Sequence, residues 1–224
     1  MPDYAWIIAA VAGFAIGFTA AGFQHLLYRE QAFKDDRLAG GTLLFTRSAL
    51  GLGVALALAL AFRPDHYDAG PALATSLFLV SLLVMASTDF ERKRLPDKLM
   101  FPSMLAALAL CWVWPERSVG DIALGTGIAM ALAALSFAFG LLVGGALGVK
   151  ATPFGLGDVK LIVLMGLLCG WPAFLTALLL GALSAGLPSL AMLVSGRRKS
   201  TISYGPYLIV GCCVVMLWPG QFIP

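Results

Sequence analysis

Two aspartates stand where charge is costly. Asp89 closes the apolar run Leu82-Leu83-Val84-Met85-Ala86-Ser87-Thr88, and Asp158 opens a second one in Gly155-Leu156-Gly157-Asp158-Val159-Lys160-Leu161. A charged side chain inside a membrane span costs at least about 2.5–3.5 kcal/mol, so an acid there is a candidate for chemistry. Two carboxylates at one depth on separate helices could share a proton and activate a water. One would act as base toward the water while the other, protonated, polarised a scissile carbonyl. Like charges that close cannot both ionise cheaply, which keeps the two roles apart. Each acid also has an ordinary explanation. Asp89 begins the charged stretch Asp89, Glu91, Arg92, Lys93, Arg94, which water would solvate. Asp158 could be an N-cap or first-turn residue favoured by the helix dipole.

Other reactive types form no pattern. Cys111, Cys169, Cys212 and Cys213 all lie within or at the ends of apolar stretches, with no Cys-x-x-Cys pair and no histidine at ligand spacing. Neither a zinc site nor a disulfide framework is supported, and the cysteines read as small core-filling side chains. His25 and His66 are far apart and share no metal pattern with them. No metal is expected.

The elements that must position the acids follow from composition. Of 224 residues, 60% are hydrophobic and 12% charged, and the mean hydropathy is +0.90. A soluble domain carries about 25% charge, and a globule this apolar would expose more hydrophobic surface than water tolerates. The expected class is an all-α polytopic membrane protein. Eight apolar segments run at about 5–28, 46–62, 72–89, 99–114, 121–148, 158–170, 173–195 and 205–218. A span needs roughly 17–25 residues. The odd-numbered segments satisfy that, and the even-numbered ones are short; the sixth, after a glycine-rich turn, is the doubtful one. The first segment lacks a basic leader region and exceeds a signal-peptide core of about 7–15 residues, so a retained anchor is expected.

Charge sets the orientation. Thirteen of the fifteen Lys and Arg fall on one side, in the loops around 29–47, 90–98, 149–160 and 196–204; only Arg63 and Arg117 fall on the other. The positive-inside rule then predicts eight spans with both termini outside the cytoplasm. It also puts Asp89 and Asp158 at the cytoplasmic leaflet. The net charge of +3 follows membrane side, so no nucleic-acid partner is expected; the bilayer is one. Small residues at helical spacing (Gly13 and Gly17, Gly140, Gly144 and Gly148, Gly166 and Gly170) predict close helix–helix contact. One transmembrane domain is expected over 1–224, with 1–71 a less typical N-terminal part and 72–220 the core.

Three motifs arrive in order: Asp89-Phe90-Glu91-Arg92-Lys93-Arg94-Leu95-Pro96-Asp97, then Gly155-Leu156-Gly157-Asp158-Val159-Lys160-Leu161, then Tyr204-Gly205-Pro206-Tyr207. In that order and topology the chain resembles the prepilin peptidases (type IV leader peptidases), which are GxGD-type intramembrane aspartic proteases. The resemblance covers about 85–220. It is weaker over 1–84, where Gly17 to Arg29 is similar to the family's first helix but lacks its Ser and Asn.

The resemblance implies that Asp89 and Asp158 are the catalytic pair, and that Gly155 and Gly157 let that turn lie close to a substrate peptide, where a Cβ would obstruct it. Lys160 and Asp97 match family positions as substrate-binding candidates. A lysine that snorkels to lipid phosphates and an N-cap of the fourth helix are their plainer readings. The implied activity is removal of a short basic leader from prepilin or pseudopilin precursors at the cytoplasmic face of a bacterial inner membrane, after the glycine preceding the hydrophobic helix. The acidic residues Glu30, Asp35, Asp36 and Glu91 could attract such a leader. Many family members carry two Cys-x-x-Cys pairs in a cytoplasmic loop after the first helix; here that loop holds no cysteine. The peptidase needs no cofactor. S-adenosylmethionine enters only if the family's N-methylation of the product is retained, which the missing loop leaves open. The sequence also leaves the oligomeric state open. The alternatives are a proton-coupled transporter using the same aspartates, against which no inverted repeat is found, and a non-catalytic scaffold of a pilus or secretion machine.

Overall fold

The computed structural model describes residues 4–27, 40–64, 66–146, 155–194 and 203–222. Among these every regular element is helical: α1 (Ala5–Leu27), α2 (Gly40–Ala61), α3 (Ala69–Arg92), α4 (Asp97–Ala109), α5 (Val119–Ala146), α6 (Leu156–Cys169), α7 (Ala173–Val194), α8 (Gly205–Leu217) and a single turn, α9 (Pro219–Phe222). Each of the eight predicted segments is a helix, including the doubtful sixth. Four stretches are long and apolar enough to cross a membrane: Ala5–Gln24, Ala69–Arg92, Val119–Leu142 and Ala173–Leu190. Their outward faces agree with that. On α5 alone, Leu124, Met130, Leu135, Phe139 and Leu142 are exposed, a face that water would not tolerate and lipid accepts at no cost. The chain is an all-α polytopic membrane protein.

Contacts divide the chain into two units, Met1–Leu99 and Met100–Pro224. In the first, α1 and α2 pack antiparallel through glycine. A Cβ on Gly17 would lie 2.8 Å from the Gly51 Cα, and one on Gly13 would lie 3.0 Å from the Ala55 Cα. Backbones this close recover by dispersion what the hydrophobic effect cannot supply in lipid. Ala9, Ala21, Leu50, Val54, Leu58 and Val84 form the core of this unit, with Leu99 packed against it. Helix α3 begins after Asp68, whose extended φ of −66° and ψ of 165° set the start. It ends where Lys93 turns left-handed and donates its N–H to the Asp89 carbonyl at 2.7 Å.

In the second unit α5 and α6 are joined by the same device. A Cβ on Gly166 would meet the Ala129 Cβ at 2.6 Å, and one on Gly125 would meet the Gly170 carbonyl carbon at 2.6 Å. Gly170 carries a φ of 66°, the left-handed region that favours glycine. Helix α5 opens on a capping box. The Asp121 N–H donates to Ser118 Oγ at 3.0 Å, and Ser118 returns its own N–H and hydroxyl to Asp121 Oδ2 at 3.0 and 2.6 Å. Gly181 and Gly211 bring α7 against α8: a Cβ on Gly181 would lie 2.8 Å from the Leu208 Cα. The predicted stripe at Gly140, Gly144 and Gly148 leaves the described residues after Gly140, since neither the Gly144 side of α5 nor position 148 is described.

Two predicted boundaries fail: α2 begins at Gly40, six residues before the expected 46, and α4 ends early. The apolar run 99–114 stops being helical at Ala109, and residues 110–118 form turns that precede α5. The Trp112 indole donates to the Ala109 carbonyl at 2.9 Å, satisfying a helix-end acceptor, and Pro115 follows. Hydropathy extends through these tryptophans although the backbone has turned. Helices α4, α6 and α8 therefore have 13, 14 and 13 residues, about 20 Å each at 1.5 Å per residue.

Candidate active site

Asp89 lies inside α3, not at its edge. The helix continues three residues beyond it, to Arg92, and the side chain is 4% exposed, beside Thr88 at 1%. The solvated helix end that the run of charges suggested is not what forms. Burying an aspartate costs several kcal/mol unless polar neighbours compensate. Asp97 is at the other side of the same corner. It opens α4, is exposed to solvent, and places a carboxylate in that helix's first turn, where the dipole favours it.

Asp158 belongs to the second unit, in the first turn of α6. Gly155 precedes that helix with φ −75° and ψ 143°, and its carbonyl accepts from the Asp158 N–H at 3.0 Å and the Val159 N–H at 3.3 Å. Asp158 Oδ2 folds back over the turn: a Cβ on Gly155 would lie 3.5 Å from it, an ordinary contact. Neither the dihedrals of Gly155 nor its neighbours among the described residues demand glycine. Lys160, two residues further, places its ammonium 4.9 Å from the centre of the Phe101 ring of α4. A cation over a ring face at that distance contributes about 0.5–1 kcal/mol. Within this unit the structure brings Gly155, Gly157, Asp158 and Lys160 together in one turn; Asp89 and Asp97 belong to the first unit.

The antiparallel register gives the depth of this turn. Gly125 lies against Gly170 and Ala129 against Gly166, so Asp158 stands near the level of Phe137 on α5. Helix α5 runs on to Ala146, about 14 Å further at 1.5 Å per residue. The same holds across α7 and α8. Gly181 meets Leu208, so Gly205 stands near the level of Ser184 while α7 continues to Val194, about 15 Å beyond. The Gly-Leu-Gly-Asp turn and the Tyr204-Gly205-Pro206 start of α8 are both inset below the ends of the long helices.

Other polar groups gather where the sequence gave little signal. Thr46 on α2 hydrogen-bonds the half-buried carboxylate of Glu91 on α3. Arg47 lies over the Phe18 ring at 6.0 Å, and a Cβ on Gly22 would approach its guanidinium to 3.3 Å. Gln24 is buried with its Nε2 unpartnered. A lone Gln or Arg in an apolar run could have raised these as candidates. Glu91 is thus engaged inside the first unit, while Glu30, Asp35 and Asp36 lie outside the described residues. Among the described residues no group of three or more His, Cys, Asp or Glu could hold a metal ion.

Comparison with known proteins gives this geometry a context. The sequence pattern of the type IV leader peptidase family matches residues 76–190, a stretch that holds all six residues singled out in the sequence. The prepilin leader peptidase/N-methyltransferase of Aeromonas hydrophila is 28% identical over 149 residues, 65% of this chain and 49% of that protein. That of Escherichia coli (strain K12) is 30% identical over 166 residues, 73% of this chain and 70% of its own length. A third, from Burkholderia pseudomallei (strain 1026b), is 29% identical over 178 residues, 78% of this chain and 54% of that protein. The chain spans about half the length of the Aeromonas relatives it matches. No solved structure matches it significantly. On the match over 76–190 and the shared length with the Escherichia coli relative, the chain belongs to the type IV leader peptidase family.

Proposed function

We propose that this protein is an aspartic endopeptidase of the bacterial inner membrane, with both chain termini outside, that removes the short basic leader of prepilin-like precursors at the cytoplasmic face. The observation that carries the reading is the burial of Asp89, 4% exposed inside an apolar helix, within the stretch that matches the family. In this reading Asp89 and Asp158 form the catalytic pair. One takes the proton of the attacking water and the other gives a proton to the oxygen of the scissile carbonyl; as the C–N bond breaks, the first passes its proton to the departing amine and the second recovers its own from the tetrahedral hydroxyl. Gly155 and Gly157 leave room for the substrate backbone, which accounts for glycine at Gly155 where nothing among the described residues requires it. Lys160, held over Phe101, positions the turn; Asp97, exposed at the α3–α4 corner, is a contact for the basic leader.

The relatives' names pair the peptidase with an N-methyltransferase, whose methyl donor would be S-adenosylmethionine. The residues described here do not fit it. The unpartnered buried polar atoms of the first unit include Gln24 Nε2 at the end of α1 and Ser76 Oγ near the start of α3. Helices α1 and α3 run in the same direction, each antiparallel to α2, so these atoms lie toward opposite ends of the unit and do not converge on a nucleoside-sized site. No methyl-transfer step is assigned to this chain.

The test is co-expression with a prepilin from the same genome, read by the intact mass of the pilin. Wild type is expected to remove the leader. Asp89→Asn and Asp158→Asn are each expected to lower cleavage by about 10²–10⁴-fold, the usual contribution of a general acid or base, with the protein still inserted. Full activity in either variant would end the aspartic mechanism. An additional mass of one methyl group on the product would overturn the assignment made for the methyl donor.

A further inference from the structure

The second unit contains a chemical group that the proteolytic reading leaves unused. Cys169, the last residue of α6, and Cys212, in the middle of α8, are buried and face each other with their sulfurs 3.7 Å apart. Both are free thiols. Gly211, directly before Cys212, packs against the Ala177 carbonyl and Gly181 of α7, which fixes the face that α8 turns toward α6. Above them the turn between α4 and α5 inserts Arg117. Its side chain is 5% exposed, and its Nε, Nη1 and Nη2 have no hydrogen-bond partner among the described residues. Its guanidinium lies 5.2 Å from the Trp114 ring centre, and four residues on the Asp121 carbonyl accepts from the Trp171 N–H at 2.8 Å, which holds the start of α5 at the end of α6 where Cys169 lies. A guanidinium cannot shed its proton, and an uncompensated buried charge is strongly destabilising. Among the described residues those donors make no hydrogen bond.

We propose that Cys169 and Cys212 are a dithiol modification site that a hydroperoxide converts to a disulfide, with Arg117 stabilising the charge that develops. The step balances. One thiol sulfur attacks an oxygen of ROOH, so an S–O bond forms and the O–O bond breaks. The RO⁻ leaving group is stabilised by the Arg117 donors and takes up the thiol proton as ROH, leaving a sulfenic acid. The second sulfur then attacks the sulfenic sulfur, the S–S bond forms, and the hydroxyl departs with the remaining thiol proton as water. Two thiols are oxidised, one peroxide is reduced, and no other reactant is needed. A small neutral oxidant is indicated because these sulfurs are enclosed by apolar helices, where a charged disulfide reagent would have to be desolvated. The product ties the end of α6 to α8. Cys213 is the neighbouring competitor, and Cys111 lies apart on the turn after α4.

The experiment uses the full chain in membrane vesicles, with Cys111 and Cys213 replaced by serine. Vesicles are treated with hydrogen peroxide or tert-butyl hydroperoxide, then unfolded and alkylated, and the peptides are weighed. The expected product is a Cys169–Cys212 linked pair, two hydrogens lighter than the separate peptides and restored by reductant. It is absent in Cys169→Ser and in Cys212→Ser. Arg117→Met is expected to slow formation by about tenfold or more, in line with loss of a preorganised oxyanion donor, and Arg117→Lys by less. The proposal is overturned if both residues still alkylate after a dose that oxidises an exposed control thiol, or if they reach sulfinic acid without linking. It is likewise overturned if, in the chain with all four cysteines present, Cys213 is the partner instead. Equal rates for Arg117→Met and wild type would remove Arg117 from it.

Discussion

At the scale of single residues, the informative cases are charged groups whose surroundings differ from what sequence position suggests. Asp89 begins a run of charges that reads as a solvated helix end, yet the helix carries it inward because α3 continues to Arg92. The register of the last turn decides this, and hydropathy does not report it. Lys160 reads as a snorkelling lysine and is found over Phe101, 59 positions away in sequence; nothing in either local stretch announces that pairing. Arg117 was countable as an outward charge but not as a buried one. Lys93 offers a direct test of backbone cost. It adopts φ 53° and ψ 37°, which disfavours a side chain by about 1–2 kcal/mol. Lys93→Gly is expected to stabilise the first unit by about 1 kcal/mol, read as a higher midpoint in denaturation of the detergent-solubilised protein. A lower midpoint would mean that the lysine side chain contributes more than its backbone costs.

At the scale of elements, the helices were legible because each apolar run is bounded by charge, glycine or proline. The α4 end was not, since Trp112 and Trp114 prolong the hydropathy past the turn that contains them. The stripes at Gly13 and Gly17 and at Gly166 and Gly170 announced that helices would touch, and the structure supplies their partners in α2 and α5. The same helix provides a matched test. A Cβ on Gly125 would penetrate the Gly170 backbone at 2.6 Å, whereas one on Gly127 meets nothing within 4 Å. Gly125→Ala is expected to destabilise the second unit by about 1–3 kcal/mol. Gly127→Ala is expected to be neutral or stabilising by a few tenths up to about 1 kcal/mol. Both are read by the same denaturation midpoint, and equal effects would contradict the α5–α6 contact.

At the scale of the whole chain, class and membership of the family were legible in composition and in three ordered motifs, while the way a buried thiol pair and a guanidinium share one end of the second unit was not. Those residues are separated by dozens of positions and only packing joins them. Orientation still rests on the distribution of Lys and Arg, and it makes a prediction of its own. In a background without native cysteines, a cysteine at the exposed position Glu116 is expected to react with an impermeant maleimide added outside intact cells. A cysteine at the exposed position Lys98 should react only after the membrane is opened. The reverse pattern would invert the topology and place the inset turn of α6 on the wrong side for a cytoplasmic leader.

Helix α4 turns Phe101, Leu105 and Leu108 outward, yet with 13 residues it reaches only about 20 Å across a hydrocarbon layer of about 30 Å. Lipid beside it must thin, at a cost of fractions of a kcal/mol per Å of mismatch. The protein therefore deforms its own solvent. On the proposed function, thinning on the side where α6 and α8 begin would bring hydration to the junction of a precursor's leader and its helix without lifting it out of the membrane. In thicker bilayers the dimple costs more, and lipid acyl length becomes a variable of the catalyst.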